Sequence, residues 1–350
     1  MPDEEAKSIR GPWWWIKMIA LILAVALVAF LLVRAFTAGN GEAAMAPAQE
    51  QDEVRLTDAT GKYQYFVNED GTATLRWEQS GSDTVVIPET IDGHTVTAVG
   101  NDAFRMRDHL TGVTLPATVK SIGSSAFSGC EKLASLNLPD GLESIGSSAF
   151  FRCMSLKEMD IPDSVRWIGP SAFGTCEALT RVHLPANLET VSESLFSGCS
   201  ALAEVNLPDG IEAIETFAFT GCSELREVRI PAGVTIIREC AFLGCRSLTS
   251  VYIPASVWKI DNDAFFNCKN LAAAVIDEGT EWIGDRAFTN CGNLGYVSLP
   301  ASLTHIGEAA FHVYSLTEYK PNMGITFSAP EGSYAEMVCK QYGFTLARGE

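Results

Sequence analysis

Eight cysteines of this chain stand three residues after a phenylalanine: Cys130, Cys153, Cys176, Cys199, Cys222, Cys245, Cys268 and Cys291. Thiols in such a row admit four chemistries: a nucleophile, a metal ligand, half of a disulfide, or a small buried hydrophobe. A nucleophile needs one special environment that stabilises its thiolate, and eight equivalent positions argue against that. Zinc takes ligands clustered at short spacing, whereas no cysteine here has another within three residues. If the units stack, neighbours lie ~4.8 Å apart and equal register makes a column of thiols. Disulfides along such a column stay open for an exported domain, but pairing neighbours requires alternate units to distort. Buried free thiols are therefore expected, because unpaired cysteine is among the most buried residue types.

Other chemistry-bearing residues are sparse. The five histidines, His94, His109, His183, His305 and His312, are scattered, and there is no HExxH, G-x-S-x-G, G-x-G-x-x-G or Walker pattern. Asp261 and Asp263 in "IDNDAF" form a conceivable calcium pair. The same slot holds "GSS", "GPS" or "GDR" in other units, and calcium takes six or more oxygens, so a solvated turn is the expectation. A non-enzymatic chain without cofactor or metal is expected.

The elements that carry these residues follow from a period of 23. Phenylalanine recurs at Phe104, Phe127, Phe150, Phe173, Phe196, Phe219, Phe242, Phe265, Phe288 and Phe311. Five residues before each stands Ile or Val, and six residues after the first nine stands Leu. Each unit continues with an alternating pair such as Leu136-x-Leu138-Pro139, a short strand with one face buried whose ladder the proline ends. One such coil cannot bury its apolar side alone, so the array is the unit of folding. Ala274, Asp277 and Thr280 replace the usual residues of one unit, which predicts that this coil is the least well packed. Asp70-Gly71 between two alternating runs predicts a hairpin cap. Ser333, Glu336 and Gly343 predict a short closing helix.

The chain has 350 residues, 47% of them hydrophobic, and a formal charge of −18, which argues against a nucleic-acid partner, since phosphate binding needs clustered lysine and arginine. Trp13 to Val33 is an apolar run interrupted only by Lys17, and at ~1.5 Å per residue it matches a ~30 Å bilayer core. Trp13, Trp14 and Trp15 supply an interfacial anchor, and Lys17 lies close enough to the end to snorkel. Lys7, Arg10 and Lys17 against Arg34 favour an N-terminus inside and the repeats outside. The alternative is a cleaved signal peptide with Ala46-Pro47-Ala48 as its site, although the apolar run exceeds a usual signal core.

The 23-residue unit L-x-x-[VLI]-x-[LI]-P-x-x-[VLI]-x-x-I-G-x-x-A-F-x-x-C, the opening "DGTATLRWEQSGSDTVVIPETIDGHTVTAVGNDAF" and the terminal "GSYAE" resemble the BspA-type leucine-rich repeats of bacterial and some protist surface proteins. The resemblance covers roughly residues 63 to 346. It implies a cell-surface protein, in some members an adhesin for matrix proteins or other cells, and no catalytic residues. The expected fold is a β-rich solenoid: a leucine-rich-repeat array of about ten 23-residue coils with an N-terminal hairpin cap and a short C-terminal capping helix, preceded by one transmembrane helix. The divisions are a cytoplasmic tail (1–12), a signal-anchor helix (13–33), a flexible extracytoplasmic stalk (34–62), an N-terminal cap (63–99), the solenoid (100–316) and a C-terminal cap (317–350).

Function is expected on the outward strand positions, which vary from coil to coil while the core stays fixed. Arg181, His183, Glu204, Glu227, Arg229, Tyr252 and Tyr296 bring charge and aromatic surface together there and are the candidate contacts for a protein or cell-surface partner. The alternatives are a surface spacer without a ligand, or a solute- or glycan-binding protein. The topology is tested by protease on intact cells: the repeats are expected to be removed while a tag before Trp13 survives, and protection of the repeats reverses the orientation.

Overall fold

The computed structural model describes residues 54–79, 81–315 and 318–347. Trp13–Val33 and its flanks lie outside the described residues, and among the described residues no helix is long and apolar enough to cross a membrane. Between Val54 and Ala347 the chain winds as a parallel β-solenoid of about twelve turns. The two turns beyond the expected ten come from the caps, which are themselves wound. His94–Val99 pairs in parallel with Ala73–Glu78, and Thr326–Ser328 pairs in parallel with Tyr296–Ser298.

Most coils place two rungs on two ladders. Short rungs such as Ser121–Ile122, Ser144–Ile145 and Trp167–Ile168 stack in one, and long rungs such as Glu158–Asp160, Arg181–His183 and Glu204–Asn206 stack in the other. Between them Leu, Ile, Ala, Phe and Cys point inward and merge into one continuous core. The phenylalanines from Phe104 to Phe311 form a stack with ring centroids 5.1–5.8 Å apart. Their turns carry a left-handed residue two positions before each phenylalanine, with φ of 55–60° from Asp102 to Ala309. None of these ten is glycine, so the conformation is held against its intrinsic cost by the bonds it makes. In the second coil, for example, Ser125 N–H donates to Ser147 of the next turn at 2.8 Å.

The cysteine column is buried, and all ten cysteines are free thiols. Each column thiol donates to the carbonyl of the previous coil's phenylalanine at 3.0–3.3 Å. Phe127 O, for instance, accepts the amide of Cys130 at 3.1 Å and the thiol of Cys153 at 3.3 Å. Cysteine therefore fills the column and also gives a second donor to a carbonyl that already accepts the amide of its own turn. Burial pushes the thiol of Cys130 up to about 12 and raises those of Cys153, Cys176, Cys222, Cys245 and Cys268 as well, which keeps these six protonated and poor nucleophiles.

In the first coil the cysteine position holds Arg107, which is buried. Its guanidinium meets Glu78, fully buried, at 2.8 Å and lies 4.6 Å from the Trp77 ring centroid. This ion pair closes the column against the hairpin Tyr63–Val67 and Ala73–Glu78, which turns at Asp70-Gly71 as expected. The sheet begins upstream of Tyr63, at Leu56–Thr57, because Asp58 accepts the Tyr63 amide at 2.7 Å and folds the segment back. At the other end helix α1 (Tyr334–Tyr342) is capped as its sequence predicts: Ser333 accepts from the Glu336 amide at 3.1 Å and Gly343 terminates at φ 72°.

The coil with Ala274, Asp277 and Thr280 is not loosely packed, contrary to expectation. Ala274 and Thr280 are both fully buried, and Thr280 Oγ1 donates to Val257 O at 2.7 Å. Asp277, standing where most coils have proline, supplies an N–H that bonds Ile253 O at 3.0 Å. Polar pairing replaces apolar contact there, and the rungs lengthen to Ser250–Ile253 and Ala273–Ile276.

One joint interrupts the short-rung ladder, between Trp167–Ile168 and Thr190–Val191. Up to that point a glycine follows each rung, and a Cβ on Gly146 would sit 2.5 Å from the backbone of Gly123 and Ser124. Ser192 replaces that glycine, and its hydroxyl rather than its amide bonds Ile168 O. The phenylalanine stack is widest at the same step, 5.8 Å between Phe173 and Phe196.

Three outcomes check this architecture. Phe173→Ala is expected to lower unfolding stability by ~3–5 kcal/mol in a denaturant titration, since it removes a fully buried ring from the stack. Gly146→Ala is expected to cost ~1–3 kcal/mol by overpacking, with Gly292→Ala, which meets nothing within 4 Å, as the neutral comparison. Alkylation under denaturing, non-reducing conditions is expected to modify all eight column thiols; paired, unmodified cysteines in adjacent coils would restore the disulfide reading.

Candidate binding face

The strict alternation of the long rungs sends every second side chain outward. Arg181, His183, Glu204, Glu227, Arg229, Tyr252 and Tyr296 are all exposed, while Val182, Val228, Val251 and Val297 between them are buried. Arg181 and His183 pair in register with Glu204 and Asn206 of the next coil. Arg181 also bonds Glu158 of the preceding coil at 3.0 Å, and that carboxylate holds the guanidinium charged. Arg229 meets Asp209 at 2.9 Å, in an exposed pair. Both are surface pairs that contribute little to stability.

The face opens in its middle. No rung forms at 227–229, so the ladder stops at Glu204–Asn206 and resumes at Ser250–Ile253. An open cleft of about 560 Å³ occupies this place, lined by Arg229 and Tyr252 at its polar margin and by Val228, Ile230, Ala232 and Pro254 on its floor. Tyr252 donates its hydroxyl to Asp277, and this bond pushes its phenol up from the ordinary value. Of the seven expected contacts, Arg229 and Tyr252 line the cleft, whereas Arg181, His183, Glu204, Glu227 and Tyr296 do not.

Ser256 is the residue that the sequence reading missed. Thr118, Ser164 and Ser302 hold the same position in other coils, and each donates its hydroxyl to a carbonyl of the previous coil, Val96, Leu142 and Thr280 respectively. The Ser256 hydroxyl lines the cleft, is buried, and has no partner. A buried donor left unpaired carries a desolvation cost, and at the wall of a cleft a small side-chain movement would let it meet a bound group.

A different cluster lies on the short-rung side. Trp282 stacks on His305 at 3.6 Å, and Lys259 Nζ lies 6.0 and 5.8 Å from the Trp258 and Trp282 ring centroids. In the same region Asp261 pairs with Lys259 at 3.3 Å. Asp263 is buried and grips Arg286 at 2.9 and 2.6 Å, so it is not the solvated turn residue that its sequence suggests.

The repeating coil, two parallel ladders and outward-varying rungs define a leucine-rich-repeat solenoid. The chain matches the BspA type leucine rich repeat region, in six copies over residues 97–225 and 191–317, and belongs to that family. A leucine-rich repeat protein from Bacteroides ovatus is similar in structure: TM-score 0.58 and 28% identity, covering 76% of this chain and 83% of that one. A leucine rich cell surface protein from Faecalibacterium prausnitzii is 27% identical with TM-score 0.48, covering 86% of this chain and 100% of that one. No curated protein matches the chain. No catalytic family is indicated.

Removing the Asp277 charge releases its hold on the neighbouring phenol. In Asp277→Asn the Tyr252 titration is expected to move down toward the ordinary tyrosine range, read by NMR of ring-labelled tyrosine; an unmoved titration would mean that the bond does not persist in solution.

Proposed function

We propose that this chain is a membrane-anchored, extracytoplasmic binding module, which captures a protein partner on the long-rung face around the Arg229–Tyr252 cleft. The observation that carries the reading is the missing rung: the long-rung ladder opens at 227–229, where Arg229, Tyr252 and Ser256 line a cleft with Val228, Ile230 and Pro254. Arginine and tyrosine concentrate binding energy at protein interfaces when they can be desolvated at the centre of a patch. The family supports the same class, since leucine-rich-repeat surface proteins suggest protein-binding or adhesion modules. The anchor is proposed on the Trp13–Val33 sequence, with the N-terminus inside.

The test begins with a pull-down from cell-surface and matrix material, using the domain from residue 54 onward, and continues with affinity measurement on the partner found. Arg229→Ala and Tyr252→Ala are each expected to weaken binding by about 30-fold, the equivalent of ~2 kcal/mol, without a change in unfolding midpoint. Asp140→Ala, on an exposed turn, serves as the control. Affinity indifferent to both cleft changes moves the recognition surface elsewhere, and the lack of any retained partner favours a spacer.

A further inference from the structure

Cys240 is the one cysteine of the array that stands outside the thiol column. It occupies the left-handed turn position two residues before Phe242, at φ 57°, and Asp263 occupies the same position of the next coil at φ 55°. Equal register on adjacent coils sets the two side chains beside each other. Cys240 is 7% exposed yet is not packed into the continuous apolar core. Unlike the eight column thiols, it donates to no carbonyl. Its Sγ instead lies with a carboxylate oxygen of Glu239 and one of Asp263, all three atoms within 4.8 Å of one another.

We propose that Glu239, Cys240 and Asp263 form a binding site for a divalent ion of the zinc class, bridging two adjacent coils. Three convergent protein ligands leave a fourth tetrahedral position for water, the usual composition of an open zinc site. The donor set selects the ion. Calcium and magnesium take oxygens only, soft copper(I) prefers sulfur throughout, and one sulfur with two carboxylates suits a borderline ion. Arg286 holds both Asp263 oxygens, at 2.9 and 2.6 Å, which leaves each with a further lone pair. This is how a ligating carboxylate is oriented from outside a metal site. Charge agrees as well: three anionic ligands and one arginine leave a deficit of two positive charges, which the ion supplies. The turn replaces the Gly-Ser-Ser of other coils, and Arg238 and Asp261 stand where glycine follows the short rung elsewhere.

Cobalt(II) titration of the purified full chain tests the site. A saturable thiolate-to-cobalt absorption is expected, discharged by zinc. Cys240→Ser is expected to abolish the band, and Glu239→Gln and Asp263→Asn to weaken cobalt binding by at least about tenfold each. Glu239 is exposed, so Glu239→Gln reports on ligation even if loss of the Arg286 pair unfolds the Asp263 variant. The other cysteines are buried to 1% exposure or less, so in the folded chain the band belongs to Cys240. No saturable absorption, a band that survives Cys240→Ser, or an unchanged affinity in Glu239→Gln overturns the proposal.

Discussion

Every part of this molecule depends on one constraint: each coil must rest on the next at the same rise. Backbone pairing on two ladders and the ring stack between them impose it together, with ring centroids held between 5.1 and 5.8 Å over ten phenylalanines. A side chain inside the winding is repeated by its neighbour at nearly the same coordinates, so each interior position must tolerate its own copy. Phenylalanine does so by stacking, and isoleucine and leucine by packing. Cysteine does so by donating backward to a carbonyl. The thiol is small enough to repeat at this rise and polar enough to use the second lone pair of an oxygen that already closes the turn.

Where the repeat is broken, the breaks have chemistry. Ser192 cannot stand as close as glycine, and its hydroxyl takes over the bond that the amide makes elsewhere. Arg107 cannot donate as cysteine does from within the column, so it faces the hairpin and finds Glu78. The rung at 227–229 does not form, and the cleft that it leaves is lined by Arg229, Tyr252 and Ser256, whose buried hydroxyl has no partner. In a one-dimensional array such local departures are tolerated, since a coil answers only to its two neighbours.

Most of the architecture was legible in the sequence, because a strict period reports register directly. The columns, the hairpin at Asp70-Gly71, the capped helix α1 and the outward alternation all follow from residue type and spacing. What was not legible depends on pairing across coils. "EVRI" at 227–230 reads like any other rung, and only the neighbouring strands reveal that it lies off the ladder. Thr280 reads as a defect, but its hydroxyl has a carbonyl 23 residues away. Arg107 and Glu78 are 29 residues apart, at the boundary where periodicity ends and gives no register to reason from. Cys240 sits outside the thiol column, and its company with Asp263 is visible only once adjacent turns are superposed.

The interruptions of the two ladders do not coincide. The short rungs part between Ile168 and Thr190, whereas the long rungs stay paired across that same step through Arg181–His183 and Glu204–Asn206. The long rungs part after Asn137 and again around 227–229, and there the short rungs run on through Ser144–Ile145 and through Ala213–Ile214 and Ile236–Ile237. The arrangement is that of bonded masonry, in which no seam passes through both faces of the wall. Separation along the winding axis therefore has to break at least one line of backbone bonds at every course.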